Sequence, residues 1–221
     1  MKKLFTTALT IAVAMFAASS AFSQGRDGKF SLGFGAYIGV ASSDLRSDHA
    51  AIASMAVAQE GGSLLITAGT PAIRIKAIGG FFYSASKVAQ TVDLVRLGSQ
   101  VEFHPLSCLA KDYVRFSPYI IGGVTRNSHK FYGFYGADSE EQPRNYSVSS
   151  EPYLGSVTTL ETMAGVGIAM QLKSISGQFL HLFAEYKAGF AFSHDASSIY
   201  QNTFIEKSST VNVGVVFGKL F

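Results

Sequence analysis

The sequence predicts an all-β chain, an eight-stranded antiparallel transmembrane β-barrel of the outer-membrane kind. Three observations carry this expectation. Residues 210–221 alternate strictly. Val211, Val213, Val215, Phe217 and Phe221 share one face with Lys219, and Thr210, Asn212, Gly214, Val216, Gly218 and Leu220 share the other. The same two-faced pattern recurs along the chain, and the connections between such segments alternate between long and short. A strand with an apolar face and a small or polar face suits a wall between lipid and lumen. A half-buried strand of a soluble β-domain would show the same period, but a soluble sandwich has no reason to alternate its loop lengths.

The amino terminus comes first. Met1-Lys-Lys-Leu-Phe5 precedes an apolar run over 8–18, and Ala21 and Ser23 stand at the spacing of a cleavage site. A positive start, a short apolar stretch and small residues make a secretory signal peptide over 1–23, with the barrel domain over 24–221. Beyond it no run reaches the roughly 18 consecutive apolar residues of a membrane-spanning helix. The formal charge of +3 falls to about +1 without Lys2 and Lys3, so the composition implies no nucleic-acid partner. Cys108 is the single cysteine, so an internal disulfide is excluded, and it reads as a buried or turn-associated thiol.

The strands follow in order. Over 29–40, Phe30, Leu32, Phe34, Ala36, Ile38 and Val40 oppose Ser31, Gly33, Gly35, Tyr37 and Gly39, the small face a narrow barrel needs. The second strand lies within 50–69, where 63–69 fits best and 50–59 could form a short helix. Over 72–84, Ile73, Ile75, Ala77 and Phe81 oppose Arg74, Lys76 and Ser84. Over 91–104, Val95, Leu97, Val101 and Phe103 oppose Arg96, Gly98, Gln100, Glu102 and His104. Over 114–125, Phe116, Ile120 and Val124 oppose Arg115, Ser117, Tyr119 and Gly123. Over 160–172, Leu160, Ala164, Val166, Ile168 and Met170 oppose Glu161, Gly165, Gly167 and Gln171. Over 179–192, Leu180, Leu182, Ala184, Tyr186, Phe190 and Phe192 oppose His181, Glu185, Lys187 and Gly189. With the last strand these make eight, the even number a closed single-chain barrel favours.

With a periplasmic amino terminus, the long stretches 41–62, 127–158 and 193–208 fall outside. The shorter turns near Thr70-Pro71, over 105–112 and over 174–177 fall inside, and only 85–90 is short where a long loop was allowed. The inward faces collect Arg74, Lys76, Arg96, Arg115 and Lys187 against Glu102, Glu161 and Glu185. A charge facing lipid at mid-depth costs about 2–4 kcal/mol, so these side chains belong to the lumen. Mixed signs in a narrow tube predict a polar network that plugs it and blocks free diffusion; an ion or proton path is the alternative.

No catalytic, cofactor or metal site emerges. Ser193-His194-Asp195-Ala196-Ser197-Ser198 invites comparison with barrel enzymes that deacylate lipid A, but residues two apart share a strand face and the second residue after His194 is Ala196. The five histidines, His49, His104, His129, His181 and His194, show no metal spacing.

Several segments resemble a known family. Gly39-Val40 with Ser43-Asp44-Leu45, Leu97-Gly98 with Glu102-Phe103, and Phe116-Ser-Pro-Tyr-Ile-Ile-Gly-Gly-Val124 are the first pieces. Ala164-Gly-Val-Gly167, the stretch from Glu185 to Phe190, and Asp195, Ser197 and Tyr200 follow in the same order. Together they resemble the small outer-membrane barrels of the Bacteroidota, the family that includes the type IX secretion component PorG. The resemblance implies a structural or accessory barrel that docks periplasmic or outer-membrane secretion partners without chemistry of its own. Under it, the aromatic segment Phe131-Tyr-Gly-Phe-Tyr135 with Tyr146 and Tyr153, and the turn over 105–112, are candidate contact surfaces. The expected location is the outer membrane, and the expected partners are its lipid and the barrel assembly machinery. Phe217 and Phe221 are the expected assembly signal.

Overall fold

The computed structural model describes residues 30–47, 55–84, 90–109, 116–133, 153–175, 178–193 and 204–221. The expected signal peptide, Arg115, His194, Asp195, Ser197, Tyr135 and Tyr146 lie outside the described residues. Eight strands follow one another: β1 (Ser31–Ser47), β2 (Met55–Gly69), β3 (Ile73–Ser84), β4 (Gln90–Phe103), β5 (Phe116–Gly133), β6 (Tyr153–Ile175), β7 (Gln178–Ser193) and β8 (Phe204–Leu220). Each pairs antiparallel with its sequence neighbour, and β1 pairs with β8 to close the barrel. Closure satisfies every sheet edge, which hydrocarbon demands because it offers no hydrogen-bond partner. Phe30 and Phe221 exchange backbone hydrogen bonds of 3.2 and 2.8 Å just beyond the β1–β8 ladder.

Alternation decides which way each side chain points. On β1, Tyr37 is buried inside while Ile38, one residue on, is 73% exposed outside. The outer wall is an apolar band. Leu32, Phe34, Ile38 and Val40 of β1 continue into Leu64 and Ile66 of β2, and into Val211, Val213, Val215 and Phe217 of β8. From Phe30 to Val40 the band spans about 26 Å, for a rise of ~3.4 Å per residue and a tilt of ~40°, close to the height of a bilayer's apolar layer. Past the band, at the end of the long connections, the strands continue. There the outer wall turns polar: Ser42 and Asp44 on β1, Ser128 and Lys130 on β5, Ser209 and Lys207 on β8. The apolar band thus sits at the end that carries the short connections, and a polar collar rises at the other.

Three expectations are corrected. The second strand begins at Met55, so residues 55–59 are strand and not part of a helix; inward Val57 and Gln59 alternate with outward Ala56 and Ala58. β1, β5, β6 and β8 run several residues further into the collar than expected, which shortens the connections to 48–54, 134–152 and 194–203. The turn over 105–112 opens with a short helix, α1 (Pro105–Leu109), which carries Cys108. At two places the backbone requires glycine. Gly69 ends β2 at φ 147°, ahead of the tight Thr70 turn, and Gly155 sits at φ 151° beside the β-bulge at Phe131/Tyr132.

Candidate functional site

Eight strands enclose a space that side chains can fill. Among the described residues the lumen buries four basic side chains, Arg74, Lys76, Arg96 and Lys187, and four acidic ones, Glu102, Glu161, Glu185 and Glu206. The charges balance, and they form two groups stacked along the barrel.

The first group lies toward the short connections. Lys76 of β3 pairs with Glu102 of β4 and with Glu185 of β7. Because β3 and β7 are not neighbours in the sheet, this pairing crosses the lumen. Lys187 pairs with Glu185 at 3.0 Å, and the Tyr119 hydroxyl donates to Glu185 at 2.8 Å. Lys187 also donates to the Gln100 side chain at 3.4 Å. The Lys76 ammonium rests 4.5 Å from the centre of the Phe183 ring, and Lys187 lies 5.3 Å from that of Tyr37, so aromatic faces help solvate both cations. Arg74 reaches His181 at 3.3 Å.

The second group lies toward the collar. Arg96 stands 3.4 Å from Glu161, donates to Asn127 at 3.1 Å and to the Thr210 hydroxyl at 3.4 Å. Glu161 accepts from Thr125 and Asn127, each at 2.9 Å, and from Ser208. Glu206 accepts from Thr159 at 3.0 Å and meets His129 at 2.9 Å. Apolar side chains pack the ends: Phe179 at one, Leu45, Val92 and Phe131 at the other.

Seven of the eight lumen residues named from the sequence are therefore buried inside the barrel, and Arg115 is outside the described residues. Glu206 and His129 were missed as members of the core. Stepping back in twos from Asn212 through Thr210 and Ser208 reaches Glu206, so the signal was present but fell in a stretch read as loop. Phe131 was expected in an exposed aromatic loop and is instead buried on the inner face of β5. Tyr132 and Tyr153 remain near the surface, their rings 5.7 Å apart. Phe217 is exposed on the outer wall between Phe34 and Leu180, and Phe221 is exposed beside Lys219, whose ammonium lies 5.3 Å from the ring centre.

One constellation has the connectivity of a hydrolase. His104 contacts the Ser117 hydroxyl through Nδ1 at 2.9 Å and Glu102 through Nε2 at 3.4 Å. A nucleophile, a base and an orienting carboxylate are the parts of a triad. The setting is a packed interior. All three side chains are buried and Glu102 is also bound by Lys76. The adjoining cavity, lined by Arg74, Glu102, Tyr119 and His181 among others, measures about 10 Å3, room for one water. Among the described residues no group of three or more His, Cys, Asp and Glu side chains could hold a metal ion.

Closed wall, apolar exterior and packed polar interior define the class: an inside-out, plugged eight-stranded β-barrel. No protein-family model matches the chain, and no curated protein matches it. Solved structures do. Neisserial surface protein A is 12% identical with a TM-score of 0.43, and the match covers 81% of this chain and 96% of that one. The attachment invasion locus protein Ail of Yersinia pestis is 14% identical with a TM-score of 0.40, covering 86% and 98%. OprG of Pseudomonas aeruginosa is 12% identical with a TM-score of 0.42, covering 86% and 95%. The likeness is one of fold.

Proposed function

We propose that the chain is a non-enzymatic outer-membrane barrel that serves as a structural or accessory subunit, and that its wall and rim rather than its lumen meet its partners. The observation that carries this reading is the charge-balanced core: Lys76 joins β3, β4 and β7 across the interior, beside a cavity with room for one water. An apolar band of bilayer height supports residence in a membrane. The signal peptide expected over 1–23 directs the chain out of the cytoplasm. The sequence segments from Gly39 to Tyr200 that resemble the PorG-containing family carry the finer reading, service in type IX protein secretion.

Affinity purification of the tagged full chain from native membranes tests the accessory role. Recovery with periplasmic or outer-membrane secretion components is expected, and recovery alone counts against it. Deletion of the gene tests the finer reading, which normal secretion of cargo proteins removes. The enzyme reading has its own check at Ser117. A fluorophosphonate probe should leave the folded barrel unlabelled, whereas labelling that disappears in Ser117→Ala would reinstate a hydrolase.

A further inference from the structure

Among the described residues the outer wall carries few charges, and most stand directly opposite a polar or acidic residue on a neighbouring strand. Glu60 accepts from the Tyr83 hydroxyl at 2.7 Å. Lys130 stands opposite Asp93, and Lys207 opposite Asp44, in the strand registers. Lys219 lies at the rim against Phe221 and stands opposite Gln178. Arg126 differs. It is exposed on the outer face of β5, with Leu97 opposite it on β4 and Leu160 on β6, both exposed to the same surroundings. One step down the face stand Val124, Ser99 and Thr162; one step up stand Ser128, Val95 and Thr158. None of these flanking positions is acidic. A guanidinium therefore sits within the upper edge of the apolar band, where a lone charge needs an anion or a path to water.

From this placement we propose that Arg126 docks a phosphate of a phosphorylated lipid headgroup in the leaflet on the long-connection side, the outer leaflet. The inference rests on the outer-membrane reading and deepens it by naming a lipid class. Depth selects the partner: leucines on both sides of Arg126 take up acyl chains, while the guanidinium points at the level where headgroups begin. Geometry selects phosphate, since the planar guanidinium forms paired hydrogen bonds with two phosphate oxygens and an ammonium cannot. Ser128 and Thr158, paired across β5 and β6 one step further out, add hydroxyls at the headgroup level. Lys130, another step out, already has Asp93 opposite and takes no part.

The test uses the full-length barrel in phosphatidylcholine nanodiscs doped with a bis-phosphorylated glucosamine disaccharide lipid, or with the same lipid stripped of its phosphates. Lipid retained per barrel is counted by mass spectrometry after detergent extraction. Wild type should enrich the phosphorylated lipid about tenfold over the stripped one, the factor expected of one charge-assisted contact. Arg126→Gln should abolish the enrichment, Arg126→Lys should keep part of it, and Lys130→Gln should keep all of it. Equal enrichment in Arg126→Gln and wild type, or none in wild type, overturns the proposal. So does loss of the bound lipid to millimolar inorganic phosphate, which would make the site one for the free anion. A wild-type barrel that fails to enter the disc at all overturns the membrane reading instead. Heat-modifiable migration on gels verifies that each variant is folded.

Discussion

At the scale of single residues, Lys76 is the keystone of the core. It is 1% exposed, answers two carboxylates on two strands, and lies against an aromatic ring. Replacing it with Met keeps much of the volume but leaves Glu102 without its lysine and Glu185 with Lys187 alone. Breaking a buried pair this way costs about 3–5 kcal/mol, so Lys76→Met should lower the unfolding free energy in lipid by that amount. The measurement is urea unfolding from vesicles, and a loss below about 1 kcal/mol would mean that the pairing contributes little. Adding Glu102→Gln removes the carboxylate left without a lysine and should recover part of the loss, since neighbours in one network do not add. Lys187 keeps Glu185, but the contact between Lys76 and the Phe183 ring stays lost, so the recovery stays incomplete.

At the scale of elements, inside and outside are set by single steps along a strand. Val213 and Val216 of β8 belong to opposite faces, 55% and 6% exposed. Val213→Arg puts a charge into the apolar band and should cost about 2–4 kcal/mol, whereas Lys207→Ala in the polar collar should stay within about 0.5 kcal/mol. Equal effects at the two sites would contradict a band that ends between them. β8 also carries the proposed assembly signal. Removing Phe221, whose backbone bonds to Phe30, should reduce the folded fraction recovered from outer membranes, and undiminished insertion would count against the signal. The same strands explain what could be read from sequence. Wherever lipid lies outside and polar groups inside, hydropathy alternates and the strand is legible, as in 31–40 or 210–220. In the collar, water lies outside too, so Ser128 and Lys130 alternate with Asn127 and His129 and the contrast vanishes. That is why β5 and β8 were read short and Glu206 was missed. β2 faded for a related reason, because outward Ala56 and Ala58 are small. Pairings across the lumen, such as Lys76 to Glu185, depend on closure, which no local pattern encodes.

For the whole molecule, the barrel is a plug rather than a pipe. In planar bilayers wild type should add no steady ionic conductance, and stepwise openings of a defined size would restore the pore reading. The collar carries the strands past the apolar band, so the proposed partners are best sought there and at the short-connection rim bearing α1. Closure itself has a consequence in time. The ladder that seals the wall joins the first strand to the last, from Ser31 opposite Leu220 to Ser47 opposite Phe204. Until β8 has been made, β1 offers a row of unpaired amides and carbonyls that no hydrocarbon will accept. A chain bound for a bilayer must therefore stay unfolded in water until its last strand is made. A product cut short before β8, even one with seven good strands, has no closed wall and no stable place in a bilayer.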